Sequence, residues 1–133
     1  MKVFMPGVRI GRVRVSDRKD VRGETWFWTH KNPALQTVIC RRKAGSKSCH
    51  VHRGVDPSKN PEWLFIAFGK VRFTFWNQLA GDKRDYLAEA GTVIAINPNI
   101  DHRTVVLSYA ITLESRSTKF DKKNPDQEGA EIK

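Results

Sequence analysis

From Glu62 to Phe68 the chain reads EWLFIAF, and it is apolar on both parities of a strand. Leu64, Ile66 and Phe68 fall on one side, Trp63, Phe65 and Ala67 on the other. Successive strand side chains point to opposite faces, so such a run needs cover on both. The surrounding sequence supplies more strands. Short β-rich runs follow one another, separated by glycine, proline and asparagine, which is the spacing of a sandwich or barrel. No helical period is sustained anywhere, so the expected class is all-β with little helix.

The predicted strands follow in order. Residues 8 to 15 alternate and then switch parity near Gly11, which suggests a bulge or bend. Residues 24 to 30 place Trp26, Trp28 and His30 on one face and end at Asn32-Pro33. Residues 35 to 43 form a strand turned by Ala44-Gly45-Ser46, and 48 to 52 form the next. Arg53 to Pro61, with Gly54, Pro57, Asn60 and Pro61, is a loop. After 62 to 68, Gly69-Lys70 reads as a hairpin-type turn into a half-buried strand with Val71, Phe73 and Phe75 on one parity. Short strands follow at 85 to 89 and 92 to 96, and residues 103 to 114 read as one last long strand. From Ser115 the chain is polar and reads as an irregular tail. With 133 residues, one domain is expected: a barrel over 1–114 and a tail over 115–133.

The net charge of +10 makes an anionic partner plausible, whether nucleic acid, an anionic membrane surface or a phosphorylated small molecule, and does not choose among them. No stretch reaches the roughly 18 apolar residues of a membrane span, and no secretory leader is evident. No membrane partner and a cytoplasmic location are therefore expected. The two cysteines, Cys40 and Cys49, are too few for a disulfide framework and read as free thiols. Trp63, Phe65 and Trp76 on the outer parity predict a homodimer face, unless a second sheet covers them.

The chemistry concentrates between Gly45 and His102. His50 and His52 share a face of one strand and present two imidazoles to one point. Neutral imidazole is the commonest metal ligand, and a carboxylate adds a harder oxygen donor. Glu62 follows after nine residues, then Gly69 after six. Gly91 is followed by five residues, Asn97-Pro98-Asn99, and His102.

This spacing resembles the two motifs of the cupins, over residues 35 to 114. Gly45, His50, His52, Glu62, Gly69, Gly91 and His102 fall on the motif positions. The resemblance implies a jelly-roll β-barrel. It also implies one divalent metal ion, zinc, iron, nickel, manganese or copper, held by His50, His52, Glu62 and His102. Glu62 shares parity with Leu64 and Ile66, so it points inward with them. A carboxylate and three imidazoles in an apolar interior are costly unless paired or metal-bound.

A narrower resemblance lies in Asp20-Val21-Arg22-Gly23-Glu24, the His-x-His region and the tail segment Phe120-Asp121 with Asn124-Pro125-Asp126. These look like sugar epimerase-type cupin domains of surface-polysaccharide biosynthesis, which act on nucleotide-linked keto-sugars. That resemblance implies an epimerase or isomerase. A side-chain base removes a carbon-bound proton and the divalent metal polarises the carbonyl oxygen to hold the enolate charge. His30, Glu24, Tyr86 and Tyr109 are the candidate bases, with His30 and Tyr109 put forward. Arg41, Arg42, Arg72 and Arg103 are candidates for a diphosphate, and Trp26 and Trp28 for stacking on the substrate. Two alternatives accompany this reading: another metal-dependent cupin enzyme such as an iron dioxygenase, and a non-catalytic binder of a small molecule or nucleic acid.

Overall fold

The computed structural model describes residues 1–29 and 34–132, with side chains described outside 15–20. Among the described residues every regular element is a strand: β1 (Lys2–Met5), β2 (Val8–Arg12), β3 (Arg14–Asp20), β4 (Gly23–Phe27), β5 (Gln36–Arg42), β6 (Lys47–Val51), β7 (Glu62–Phe68), β8 (Lys70–Asn77), β9 (Asp82–Glu89), β10 (Thr92–Ile96), β11 (Asp101–Val106), β12 (Ala110–Arg116) and β13 (Glu128–Gly129). They form a six-stranded sheet in the order β1-β2-β10-β7-β12-β5 and a five-stranded sheet in the order β13-β6-β11-β8-β9. β3 and β4 make a separate pair. All pairings are antiparallel. The strand spacing called for a sandwich or barrel, and the architecture is the jelly roll that the cupin resemblance implied.

β10 and β7 lie in the middle of the larger sheet, which is why their sequences are apolar on both parities. All five residues of β10 are buried. On the inner face, Ile94 and Ile96 of β10 and Ile66 of β7 meet Phe73 and Phe75 of β8 in one core with Met5, Val8 and Ile100. The Phe73 and Phe75 rings stack at 5.4 Å. On the outer face, Phe65 packs under Trp26 and Trp28, with ring centroids 6.2 and 5.4 Å away. Arg9 lies over Trp63 at 5.4 Å. The chain's own N-terminal part thus covers much of the outer apolar parity, which removes part of the argument for a dimer face.

Three sequence expectations change. The long strand read over 103–114 is two strands in different sheets, β11 and β12. The break at Leu107–Tyr109 carries no glycine or proline to announce it. Gly69 does not close a hairpin, because β7 and β8 belong to different sheets. It turns a corner at φ +83°, where a Cβ would stand 2.2 Å from the Tyr109 carbonyl oxygen. The tail is not irregular throughout: β12 runs on through Arg116, and β13 pairs with β6.

Gly69→Ala combines a left-handed backbone with a backbone clash, and should cost about 2 kcal/mol or more. Urea unfolding reads this directly. A loss below about 0.5 kcal/mol, the scale of an ordinary surface change, would contradict the close approach.

Candidate functional site

The core fills one side of the sandwich. The other side, between β5 and β12 on one wall and β6 and β11 on the other, encloses a cavity of about 220 Å³. Strand register delivers the motif residues to it. His102 of β11 stands directly opposite His50 of β6, and their rings approach to 4.4 Å edge to face. His52 lies just past the end of β6, its ring 4.8 Å from that of His50. Glu62 opens β7 with its side chain turned inward, as its parity predicted. Donor atoms of His50, His52, Glu62 and His102 all lie within 4.8 Å of one another.

Two turns hold this geometry. Asn99 adopts φ +65°, the left-handed conformation asparagine tolerates, and its N–H donates to the His52 carbonyl at 2.8 Å. This ties the turn before β11 to the end of β6. The His102 Nδ1–H donates to the Ile100 carbonyl at 2.9 Å, and the His52 Nδ1–H to the Asp126 carbonyl at 2.7 Å. A carbonyl only accepts, so Nδ1 of each ring carries a proton, and each Nε2 faces Glu62. The Nε2 atoms lie 2.8 Å (His52) and 3.7 Å (His102) from the carboxylate. Both are buried and neither is aligned as a hydrogen bond.

Sequence reading missed the residue that completes the cluster. Lys59, in the loop before β7, is 7% exposed. Its ammonium donates to Glu62 Oε2 and, at 2.6 Å, to Glu114 Oε1. Glu114 also accepts from Arg116 Nη1 at 3.1 Å. Arg116 is fully buried and pairs with Asp56 through Nη2. Asp56 accepts in addition from the Ser58 N–H and the Thr118 hydroxyl. The loop is therefore anchored by a continuous chain of charges from Asp56 to Glu62, with Arg116, Lys59 and Glu62 buried and Asp56 and Glu114 half-buried. The only sequence signal for Lys59 was its place in the long gap between His52 and Glu62.

The charge states follow from these partners. Burial pushes the Glu62 carboxyl up, but His52, Lys59 and His102 outweigh it and hold the group well below its ordinary value. Burial pushes Lys59 down, and Glu62 and Glu114 more than restore it, so the ammonium persists. His50 and His102 go the other way. Burial first, then the neighbouring His102, lowers His50 to about 4. His102 is lowered chiefly by burial. At neutral pH the cavity thus presents neutral imidazoles beside a buried ammonium.

The C-terminal segment closes the site from outside. The Asp126 carboxylate accepts the N–H groups of Arg53, Gly54 and Asp56 at 2.9–3.0 Å. Arg53 pairs with Glu128 at 3.0 Å, and Gln127 lines the cavity.

Most of the remaining sequence candidates lie elsewhere. Tyr109 accepts a hydrogen bond from Arg41 Nε at 2.9 Å beside Phe68, outside the cavity. Arg72 is exposed on β8, on the parity opposite the buried Val71 and Phe73. Arg103 shares that outer face and donates to Thr74 Oγ1 at 3.3 Å. Trp28 packs on the outer side of β7. For Arg72 and Arg103 the cause is strand parity: their neighbours fill the core. His30 falls outside the described residues.

No family model matches the chain, and no curated relative matches it in sequence. Solved structures do share its fold. A dTDP-4-dehydrorhamnose 3,5-epimerase from Sulfolobus tokodaii superposes with TM-score 0.75 at 14% identity, over 96% of this chain and 79% of that one. An rmlC epimerase from Mycobacterium tuberculosis gives 0.73 at 14%, over 96% and 70%. The WlaRB TDP-quinovose 3,4-ketoisomerase from Campylobacter jejuni gives 0.70 at 15%, over 89% and 90%. At these identities the likeness establishes the cupin jelly-roll fold. No helix among the described residues is long and apolar enough to cross a membrane.

The divalent metal cofactor expected from the motif spacing is corrected. Epimerases of the type this fold resembles typically work without a metal ion. The donor set in this chain also fits a divalent ion poorly. Its one carboxylate is already paired with the Lys59 ammonium, and a second cation there would meet a fixed like charge in a desolvated site.

Stability should depend on pH through His50. Below pH 6.5 the unfolded chain takes up a proton that the folded protein refuses until about pH 4. The contribution is therefore full above pH 6.5 and is lost as pH falls. Glu62, with its lowered value, acts only below the ordinary carboxylate range. From pH 6.5 to 4.5 the loss through His50 should be on the order of 1 kcal/mol, allowing for the solvent that reaches this ring. His50→Gln should reduce that slope in urea titrations, leaving the part that the lowered His102 contributes over the same range; an unchanged slope would contradict the assignment.

Proposed function

We propose that this protein is an epimerase or isomerase acting on a nucleotide-linked keto-sugar, with His50 as the proton acceptor and Lys59 as the group that holds the enolate oxygen. One observation carries the reading: a neutral imidazole and a buried ammonium line the same cavity, whose size suits a single sugar ring. The fold neighbours, several of them enzymes of keto-sugars carried on TDP, support it.

The chemistry needs little else. A proton leaves the carbon next to the keto group for a ring nitrogen of His50, and the C–H electron pair moves into the enolate. The developing negative charge on oxygen is met by the Lys59 ammonium, fixed by Glu62 and Glu114 and shielded from water, where a preorganised charge is most effective. The negative charge of a bound diphosphate raises the proton affinity of His50 from its low resting value. Delivery of a proton to the other face of the same carbon, from a water molecule on that side while His50 releases its proton to solvent, gives an epimer. Return to the adjacent carbon, as the hydroxyl of the first carbon passes its proton to the enolate oxygen and becomes the new carbonyl, gives an isomer. Leu64, Ile66, Val71 and Phe73 form the apolar part of the cavity wall and limit the water that would quench the enolate.

Incubation with TDP-4-keto-6-deoxyglucose in deuterated water should place deuterium on a ring carbon beside the keto group, read by NMR. His50→Gln should slow this about 10²-fold or more, and Lys59→Met by a similar factor, with circular dichroism confirming that each variant is folded. Absence of deuterium at every ring carbon would overturn the proposal.

A further inference from the structure

The cavity is small for the substrate just proposed. At about 220 Å³ it falls below the ~300–1,000 Å³ of pockets that enclose a drug-sized ligand. It takes one pyranose ring but not the nucleoside diphosphate attached to it. The remainder must lie outside, close to the mouth.

A surface groove adjoins the cavity there, between edge strand β5 and residues 120–127. Arg42, Lys59, Glu114 and Gln127 line both spaces, so the two meet along these four side chains. Lys59 is held at the cavity end of this junction by Glu62 and Glu114. Arg42 is exposed at the junction and makes no salt bridge among the described residues, which leaves its guanidinium available to an anion. Further along, the groove is bordered by Phe120, a 51% exposed aromatic ring. This ring is held in place. Arg116 lies over it at 5.6 Å, and the Phe120 N–H donates to Gln36 Oε1 of β5 at 2.8 Å. A planar guanidinium suits a diphosphate, and a fixed aromatic ring suits a base.

We infer that this groove seats the nucleoside diphosphate half of the substrate, with Arg42 on the diphosphate at the cavity mouth and the base stacked on Phe120. The inference rests on the keto-sugar reading of the cavity and assigns the C-terminal segment a binding role. The sugar then points past Arg42 toward Lys59 and His50.

Calorimetry with two probes, thymidine diphosphate and inorganic pyrophosphate, tests it. Thymidine diphosphate should bind one per chain. Arg42→Gln should weaken both probes about 10- to 100-fold. Phe120→Ala should weaken thymidine diphosphate about 5- to 100-fold and leave pyrophosphate unchanged. Both residues are exposed, so neither variant should disturb folding, which a thermal melt checks. No binding by the wild-type protein, or affinities within twofold in both variants, would overturn the inference. The two proposals fail separately. Binding through Arg42 and Phe120 without deuterium exchange supports the groove and removes the epimerase reading. Exchange with an unchanged KM in Arg42→Gln does the reverse.

Discussion

A buried carboxylate organises this barrel. Glu62 opens the central strand β7 and points into the interior. An isolated charge there would be prohibitive. Lys59 folds back across the loop to meet it, Glu114 holds Lys59 from the neighbouring strand, and Arg116 holds Glu114. Asp56 then ties Arg116 to the loop that carries Lys59. The long connection between His52 and Glu62 is therefore structured by its own charges.

The same interaction shapes the chemistry. Because the ammonium is fixed beside Glu62, the site holds a permanent positive charge opposite imidazoles that burial keeps neutral. A fixed cation and a proton acceptor in one cavity are what enolate chemistry requires. The C-terminal segment links this interior to the surface. Asp126 clamps the loop through its side chain and orients His52 through its carbonyl, and Phe120 borders the adjoining groove.

Much of the architecture was legible because parity and turn residues carry it. The doubly apolar run at 62–68 required a covered strand, and β7 is one. His50, His52, Glu62 and His102 converge as their spacing indicated. The break between β11 and β12 was hidden because Leu107–Tyr109 contains no breaker. The corner at Gly69 was mistaken for a hairpin because a glycine at positive φ serves both. Arg72 and Arg103 were nominated by charge, although their parity, opposite to Phe73 and Phe75 in the one case, already placed them outside. Lys59 was not legible, and Phe120 stood out only as part of a tail segment, with no role attached. Neither lies on a periodic element, and each acquires its role only from contacts with residues about 55 and 84 positions away. The metal expectation failed on the same residue, since a loop lysine can take a cation's place without leaving a trace in the motif spacing.

The central claim is that Lys59 and Glu62 are mutually dependent buried charges, and a double-mutant cycle measures this most directly. Removing one partner from a buried pair costs roughly 3–5 kcal/mol, because the other charge is left uncompensated. Lys59→Met and Glu62→Gln should each lower the free energy of unfolding by about that much. The double variant should recover a large part of the loss and be more stable than either single one, with Glu114 still held by Arg116. Strictly additive losses in the double variant would contradict the account.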